Sequence, residues 1–194
     1  MAASMFDRIS RAIAARARFP LIVALLLASA LFLWIFTAFE LAPGAADHGA
    51  AGDAPGFLDL RWHYTAAEAR QAMHDYGAAG RAEYRRFLAV DAFFPFVYGL
   101  AFALLLSRLA RALFGEASPW LRLNLLPLAT IVADCVENAC LLWMLAGHPD
   151  FGDVAGTLGG YATTLKHLTL LGVLLSLAGG GIALWASRRA RPAP

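Results

Sequence analysis

Residues 131–142 read IVADCVENACLL, an apolar run of the kind that sits in a membrane, with Asp134, Glu137 and Asn138 in its middle. A carboxylate in hydrocarbon costs several kcal/mol unless it is paired, hydrated or protonated, so such residues mark a functional site by default. Their spacing of i, i+3 and i+4 puts all three on one face of a helix, continued by Leu141. The stretch is therefore expected to be a membrane span with a polar face turned toward other helices.

Composition agrees. The 194 residues are 60% hydrophobic and 15% charged, against roughly 25% charged in soluble domains, and the mean hydropathy is +0.59. A formal net charge of +2 without a basic run interleaved with aromatics excludes a nucleic-acid partner. Cys135 and Cys140 lie five apart in one apolar segment, which is neither a redox nor a metal spacing, and they read as two inert thiols.

Working outward, four apolar segments appear at about 19–40, 87–110, 123–146 and 156–186. Each is long enough at 1.5 Å per residue to cross a core of about 30 Å. The expected fold is an all-α membrane protein forming a single membrane domain over 1–194, a four-transmembrane-helix bundle. A signal peptide ending near APGAA after Leu41 is the alternative for the first segment, but its apolar run is longer than the usual h-region of about 7–15 residues. Between spans one and two, residues 41–86 form an extracytoplasmic excursion, rich in Gly, Pro and Asp up to Asp59 and then amphipathic. Thr65 with Glu68 fits a capping box, Ala69, Met73 and Tyr76 make an apolar stripe, and Gly77 is a stop. Cytoplasmic flanks collect Arg and Lys. Placing both termini inside puts Arg8, Arg11, Arg16, Arg18, Arg108, Arg111, Arg122, Arg188, Arg189 and Arg191 there, ten of the sixteen cations. The expected location is a bacterial inner membrane. Nothing relates the first pair of spans to the second as an inverted repeat.

Two more spans carry polar stripes. Asp91, Pro95 and Tyr98 align on the second, where Pro95 frees the carbonyl of Asp91 and kinks the helix, and Thr163, Lys166 and His167 sit within one turn of the fourth. Counting at 1.5 Å per residue places Lys166 and Asp91 near the outer boundary and Asp134 near mid-membrane. The expectation is a funnel that opens outward, with Arg85, Arg86, Asp91, Lys166 and His167 at its mouth and Tyr98, Glu137 and Asp134 deeper. Three acids then face one lysine and one histidine. The surplus requires a protonated His167, a protonated acid, an inward-reaching Arg85 or Arg86, or a bound cation. The bland alternative is a structural network of interhelical hydrogen bonds.

No cofactor is expected, and no metal, because the spans hold no second histidine and no HxxxH or ExxH pattern. Ser107 and Ser176 lie too far from His167 for a hydrolase. Gly156, Gly160, Gly172 and Gly179 to Gly181 read as close-packing positions, His63 and His74 as solvated, and Tyr84, Phe87, Phe93, Phe94 and Phe96 as interfacial or lipid-facing.

The run YGAAGRAEYRRFLAVDAFFPFVYG at 76–99, followed by DCVEN and a Lys-His pair in the last span, resembles a motif order that recurs in bacterial four-span membrane proteins of no established activity. The resemblance covers most of residues 60–186 and implies the four-span fold alone. A looser likeness to compact sterol-isomerase-type bundles rests on architecture and carries no residue across. The functional expectation is the handling of a small molecule or lipid by proton-titrating acids, with Glu137 and Asp134 as anchors and Lys166 as counter-ion. A non-catalytic scaffold or accessory subunit and a proton- or ion-coupled carrier are the alternatives. The partners expected are the lipid bilayer, the small molecule or lipid, and a second copy of the chain.

Overall fold

The computed structural model describes residues 4–40 and 57–190, and these are helical with no strand among them. Asp47, Asp53, the segment following Leu41 and Arg191 lie outside the described residues. Seven α-helices follow in order: α1 Met5–Ala15, α2 Phe19–Glu40, α3 Ala66–Asp75, α4 Gly77–Asp91, α5 Phe94–Phe114, α6 Leu126–Gly147 and α7 Gly152–Arg189, with short 3-10 turns at Leu58–Leu60 and Pro119–Leu125. Four stretches, Phe19–Thr37, Gly77–Phe114, Pro119–Gly147 and Gly152–Arg189, are long and apolar enough to cross a membrane. The chain is an all-α four-helix membrane protein.

The helix limits follow from local chemistry. Thr65 caps α3 as the capping box requires, its hydroxyl accepting from the Glu68 N–H while Glu68 accepts from the Thr65 N–H, and these bonds hold the Glu68 carboxyl below its usual range. Gly77, at φ 59, lets the chain turn from α3 into α4. Proline has no N–H and suits a first helical turn, and Pro95 and Pro127 stand there in α5 and α6. The second span is thus two helices broken at Ala92 and Phe93 rather than one kinked helix starting at Phe87.

A further difference is α1. Its Ser4 and Asp7 form a second capping box in a segment where Arg8, Arg11, Arg16 and Arg18 read as a charged flank. Asp7 accepts two hydrogen bonds from the Arg122 guanidinium, at 2.7 and 2.9 Å, which holds its carboxyl well below the ordinary range. Asn124 then donates to the Ser10 carbonyl and to Ser107 Oγ, both at 2.9 Å, tying α1 and the 3-10 turn to α5. Arg108 and Arg188 line one groove, so the start of the chain and the end of α7 share one end of the bundle.

The largest buried cluster lies at the opposite end. Leu58, Tyr64, Met73, Tyr84, Leu88, Leu141, Met144 and Leu145 form it. Phe57 stacks on Tyr84 at 4.5 Å and on Phe87 at 5.0 Å. Tyr84 and Phe87 are therefore core, contrary to their reading as lipid-facing rings, whereas Phe93 and Phe96 are exposed. The excursion seats itself in a notch on α7. A Cβ on Gly156 would come 2.7 Å from Ala66 Cα, and one on Gly160 would overlap the Tyr64 carbonyl. His63 is not simply solvated either, because its Nδ1 lies 3.1 Å from the Gly160 carbonyl and 3.0 Å from Thr164 Oγ1. Tyr64, buried in the notch, has its phenol pushed up by burial. Close packing does not explain all of the glycines, since nothing approaches within 4 Å of a Cβ on Gly179 or Gly181.

Two outcomes follow. Gly160→Ala forces the Tyr64 backbone out of its notch and should destabilise the protein by about 1–3 kcal/mol, read as a lower melting temperature in mild detergent, with Gly179→Ala unchanged or more stable. The Asp7 carboxyl titrates lower folded than unfolded, so its contribution is complete above about pH 4 and disappears as the pH falls through the folded value. The difference in melting temperature between wild type and Asp7→Asn should be constant from neutral pH down to that point and shrink below it.

Candidate functional site

Lys166 reaches the polar face of α6 from α7, where the spacing on the two helices predicts that they meet. Its ammonium forms a close ion pair with Glu137 Oε2, lies 3.8 Å from Asp134 Oδ1 and donates to the Asp59 carbonyl at 3.3 Å. The Lys166 side chain is 13% exposed and that of Glu137 0%, so the pair is desolvated from both sides. The other Glu137 oxygen accepts a short bond from Thr163 Oγ1. Glu137 Oε2 thus meets the ammonium as an ion pair and has no other hydrogen-bond partner among the described residues.

The remaining acids are each held by a neutral donor. Tyr98 donates to Asp134 Oδ2 at 2.8 Å, joining α5 to α6. Asn138 Nδ2 donates to Asp91 Oδ2 at 2.7 Å, joining α6 to the last residue of α4, while Asn138 Oδ1 is buried without a hydrogen-bond partner among the described residues. Tyr84 donates to Asp59 Oδ1 at 2.6 Å and accepts from the Asp59 N–H at 3.4 Å. His167 places Nδ1 2.8 Å from the Thr163 carbonyl. A carbonyl only accepts, so Nδ1 carries a proton and a neutral ring presents Nε2 as an acceptor. Trp62 packs on the same ring at 5.1 Å.

These groups border a cavity of about 410 Å³ lined by Asp59, Asp91, Tyr98, Asp134, Lys166 and His167 on one side, and by Leu33, Phe36, Phe87, Phe94, Phe102, Leu170 and Leu174 on the others. The cavity lies between α2 and α7. Helix α2 packs against α4 and α5, and α6 packs against α7, with no extensive contact between α2 and α7 themselves. Glu137 and Asn138 do not line the cavity. They stand one layer behind it, Glu137 neutralising Lys166 and Asn138 orienting Asp91. The acidic residues that line the cavity are Asp59, Asp91 and Asp134.

Two of the expected mouth residues are employed elsewhere. Arg85 Nη2 donates to the Leu145 carbonyl at 2.5 Å, satisfying a bare carbonyl in the last turn of α6. Arg86 pairs with Glu83 at 3.2 Å on an exposed face. Asp59 is the group that spacing does not reveal, because it falls in a Gly- and Asp-rich loop. The signal available was its apolar setting, FLDLRW at 57–62. With it there are four buried carboxyls and one ammonium, and two of the four, on Glu137 and Asp134, lie within 4 Å of that ammonium. Among the described residues no three His, Cys, Asp or Glu side chains converge as a metal ion would require.

No family model matches the chain, and no curated protein and no solved structure is significantly similar to it.

Removing one partner of a buried pair leaves an uncompensated charge, which costs about 3–5 kcal/mol, whereas replacing both with apolar groups is far cheaper. Glu137→Gln and Lys166→Met should each be strongly destabilising in detergent melts. The double variant should be more stable than the sum of the two losses by about 2 kcal/mol or more. Strict additivity would show that the two side chains are not a pair.

Proposed function

We propose that this integral membrane protein holds an amphiphilic small molecule or lipid in the cavity between α2 and α7, in a bacterial inner membrane with both termini cytoplasmic. The observation that carries this is the lining. Apolar side chains from three spans face one polar corner, the arrangement a ligand with one polar end and one apolar body needs. The corner also states a preference. Lys166 is neutralised by Glu137 from behind, so the charge left facing the cavity comes from Asp59, Asp91 and Asp134 and favours a cationic or hydrogen-bond-donating end. In the hydrocarbon such an end would be poorly solvated, and the carboxylates replace its water. His167, in its neutral form, adds an acceptor at Nε2. Proton transfer to the bound polar end is open to Asp91 and Asp134, but a reaction is not part of the proposal.

A structural network is the second reading, favoured by one fact: each of the four acids already has a partner within the protein. Placing both termini inside rests on the arginines at the α1 end and the positive-inside bias.

The two readings separate on binding. With the purified protein in mild detergent, a fluorescent long-chain alkylammonium should bind at least about tenfold more tightly than the matching alkyl sulfate, a difference of about 1.4 kcal/mol. Asp91→Asn and Asp134→Asn should each reduce that preference, and Leu170→Trp should block both probes, with melting temperatures within a few degrees of wild type. No preference for the ammonium, together with collapse of the fold in both Asp variants, would leave the network as the function of these residues.

A further inference from the structure

We infer that the groove between α5 and α7 at the α1 end of the bundle is a binding site for one anionic phospholipid. It shares no residue with the cavity above, beginning one helical turn beyond it at Leu105 and Leu177. The starting point is the Gly179 to Gly181 run in the interior of α7. Glycine is the poorest helix former after proline, so three in succession call for a reason. Packing supplies one for Gly180 alone, where a Cβ would come 2.5 Å from Leu109 Cδ2; at Gly179 and Gly181 it would meet nothing within 4 Å. The two open glycines lie on opposite sides of the Leu109 contact, each flooring its own groove.

The grooves differ in charge. The one at Gly179 is bordered by Leu106, Leu113, Phe114, Trp120 and Ala183 among others and holds no charged side chain. The one at Gly181, about 340 Å³, is lined by Leu105, Leu177 and Leu184 and also by Arg108 and Arg188. From Leu177 to Arg188 is eleven residues, or about 16 Å along the helix, close to half of a hydrocarbon core of about 30 Å. An acyl chain of one leaflet fits that length with its phosphate at the arginines. Arg108 is braced for the purpose, donating from Nη1 to the Ala17 carbonyl at 3.3 Å with its guanidinium over the Phe19 ring at 5.9 Å, while Arg188 is exposed. Arg111 borders the adjoining hollow, which shares Arg108, and faces Glu116 there at 3.9 Å, so the charge of this groove comes from Arg108 and Arg188. Planar guanidinium groups suit phosphate oxygens, and the charge selects an anionic phospholipid over a zwitterionic one.

The test uses the full chain in mixed micelles containing equal amounts of phosphatidylglycerol and phosphatidylcholine, with retained lipid counted by native mass spectrometry. Wild type should retain phosphatidylglycerol over phosphatidylcholine by on the order of tenfold. Gly181→Leu adds a Cβ that meets no heavy atom within 4 Å and a branched side chain that fills the groove, and it should abolish the enrichment while leaving the melting temperature within a few degrees of wild type. Arg188→Gln should reduce it severalfold, and Gly179→Leu, which fills the uncharged groove, should leave it intact. Equal retention of the two lipids by wild type overturns the proposal. So does enrichment that survives Gly181→Leu, which would mean a diffuse basic belt, or enrichment lost equally in Gly179→Leu, which would mean a general loss of packing.

Discussion

One ammonium group, Lys166, sets the terms for the rest of the bundle. A lysine carried into a low-dielectric interior requires an anion in contact, and Glu137 supplies it from the neighbouring helix. Meeting that requirement fixes the rotation of α7 against α6, because either helix turned by one residue swings its charge about 100° away from the other. The same rotation brings Thr163 onto Glu137, Asp134 within reach of both Lys166 and Tyr98, and Asn138 onto Asp91. The Asp59 carbonyl closes the circle from the excursion. Five elements thus take their azimuth from one charge, which a purely apolar interface, where one leucine is as good as the next, would leave loose.

The ammonium accounts for only one of the four carboxyls. Tyr84, Asn138 and Tyr98 are neutral donors, so they orient Asp59, Asp91 and Asp134 without cancelling charge. Of the four ways to balance the surplus, an inward Arg85 or Arg86 is removed by their engagement with Leu145 and Glu83. What remains is a proton on an acid or on His167, or a cation in the cavity. Charge is segregated along the bundle as well. Buried acids gather around the cavity, and arginines gather at the α1 end, where among the described residues Asp7 and Glu116 pair with them.

Those parts of the structure that depend on local sequence were legible in it. Four apolar runs gave the four spans, Thr65 and Glu68 gave the cap of α3, and the i, i+3, i+4 spacing gave the face shared by Asp134, Glu137 and Asn138. Spacing assigns a residue to a face, however, and not to a depth within the bundle. It could not separate Asp134, which touches the cavity, from Glu137, which stands behind it, because that depends on where α7 lies. Asp59 was hidden for a related reason. Its position is decided by the notch at Gly156 and Gly160, some hundred residues later, into which Tyr64 and Ala66 dock. Arg85 looked like a mouth group because nothing in its own surroundings shows that the last turn of α6 needs a donor. The Ser4 and Asp7 box of α1 was a local signal, obscured by the arginines that surround it.

The layering also separates the groups that line the cavity from those that stand behind it. Glu137 is fully buried with both oxygens engaged, so its effect on anything in the cavity passes through Lys166. Asp134 spends Oδ2 on Tyr98 and leaves Oδ1 at 3.8 Å from the ammonium, a distance of attraction rather than of a formed hydrogen bond. Asp91 spends Oδ2 on Asn138 and sits where α4 breaks from α5, at the cavity's edge. In each, one oxygen is pinned by a neutral donor. That fixes the direction of the carboxylate without quenching it. Polar groups that serve only to glue helices have no reason to end at a space; Asp91 and Asp134 both line one, together with aromatic and aliphatic residues, and the proposed binding role rests on that geometry.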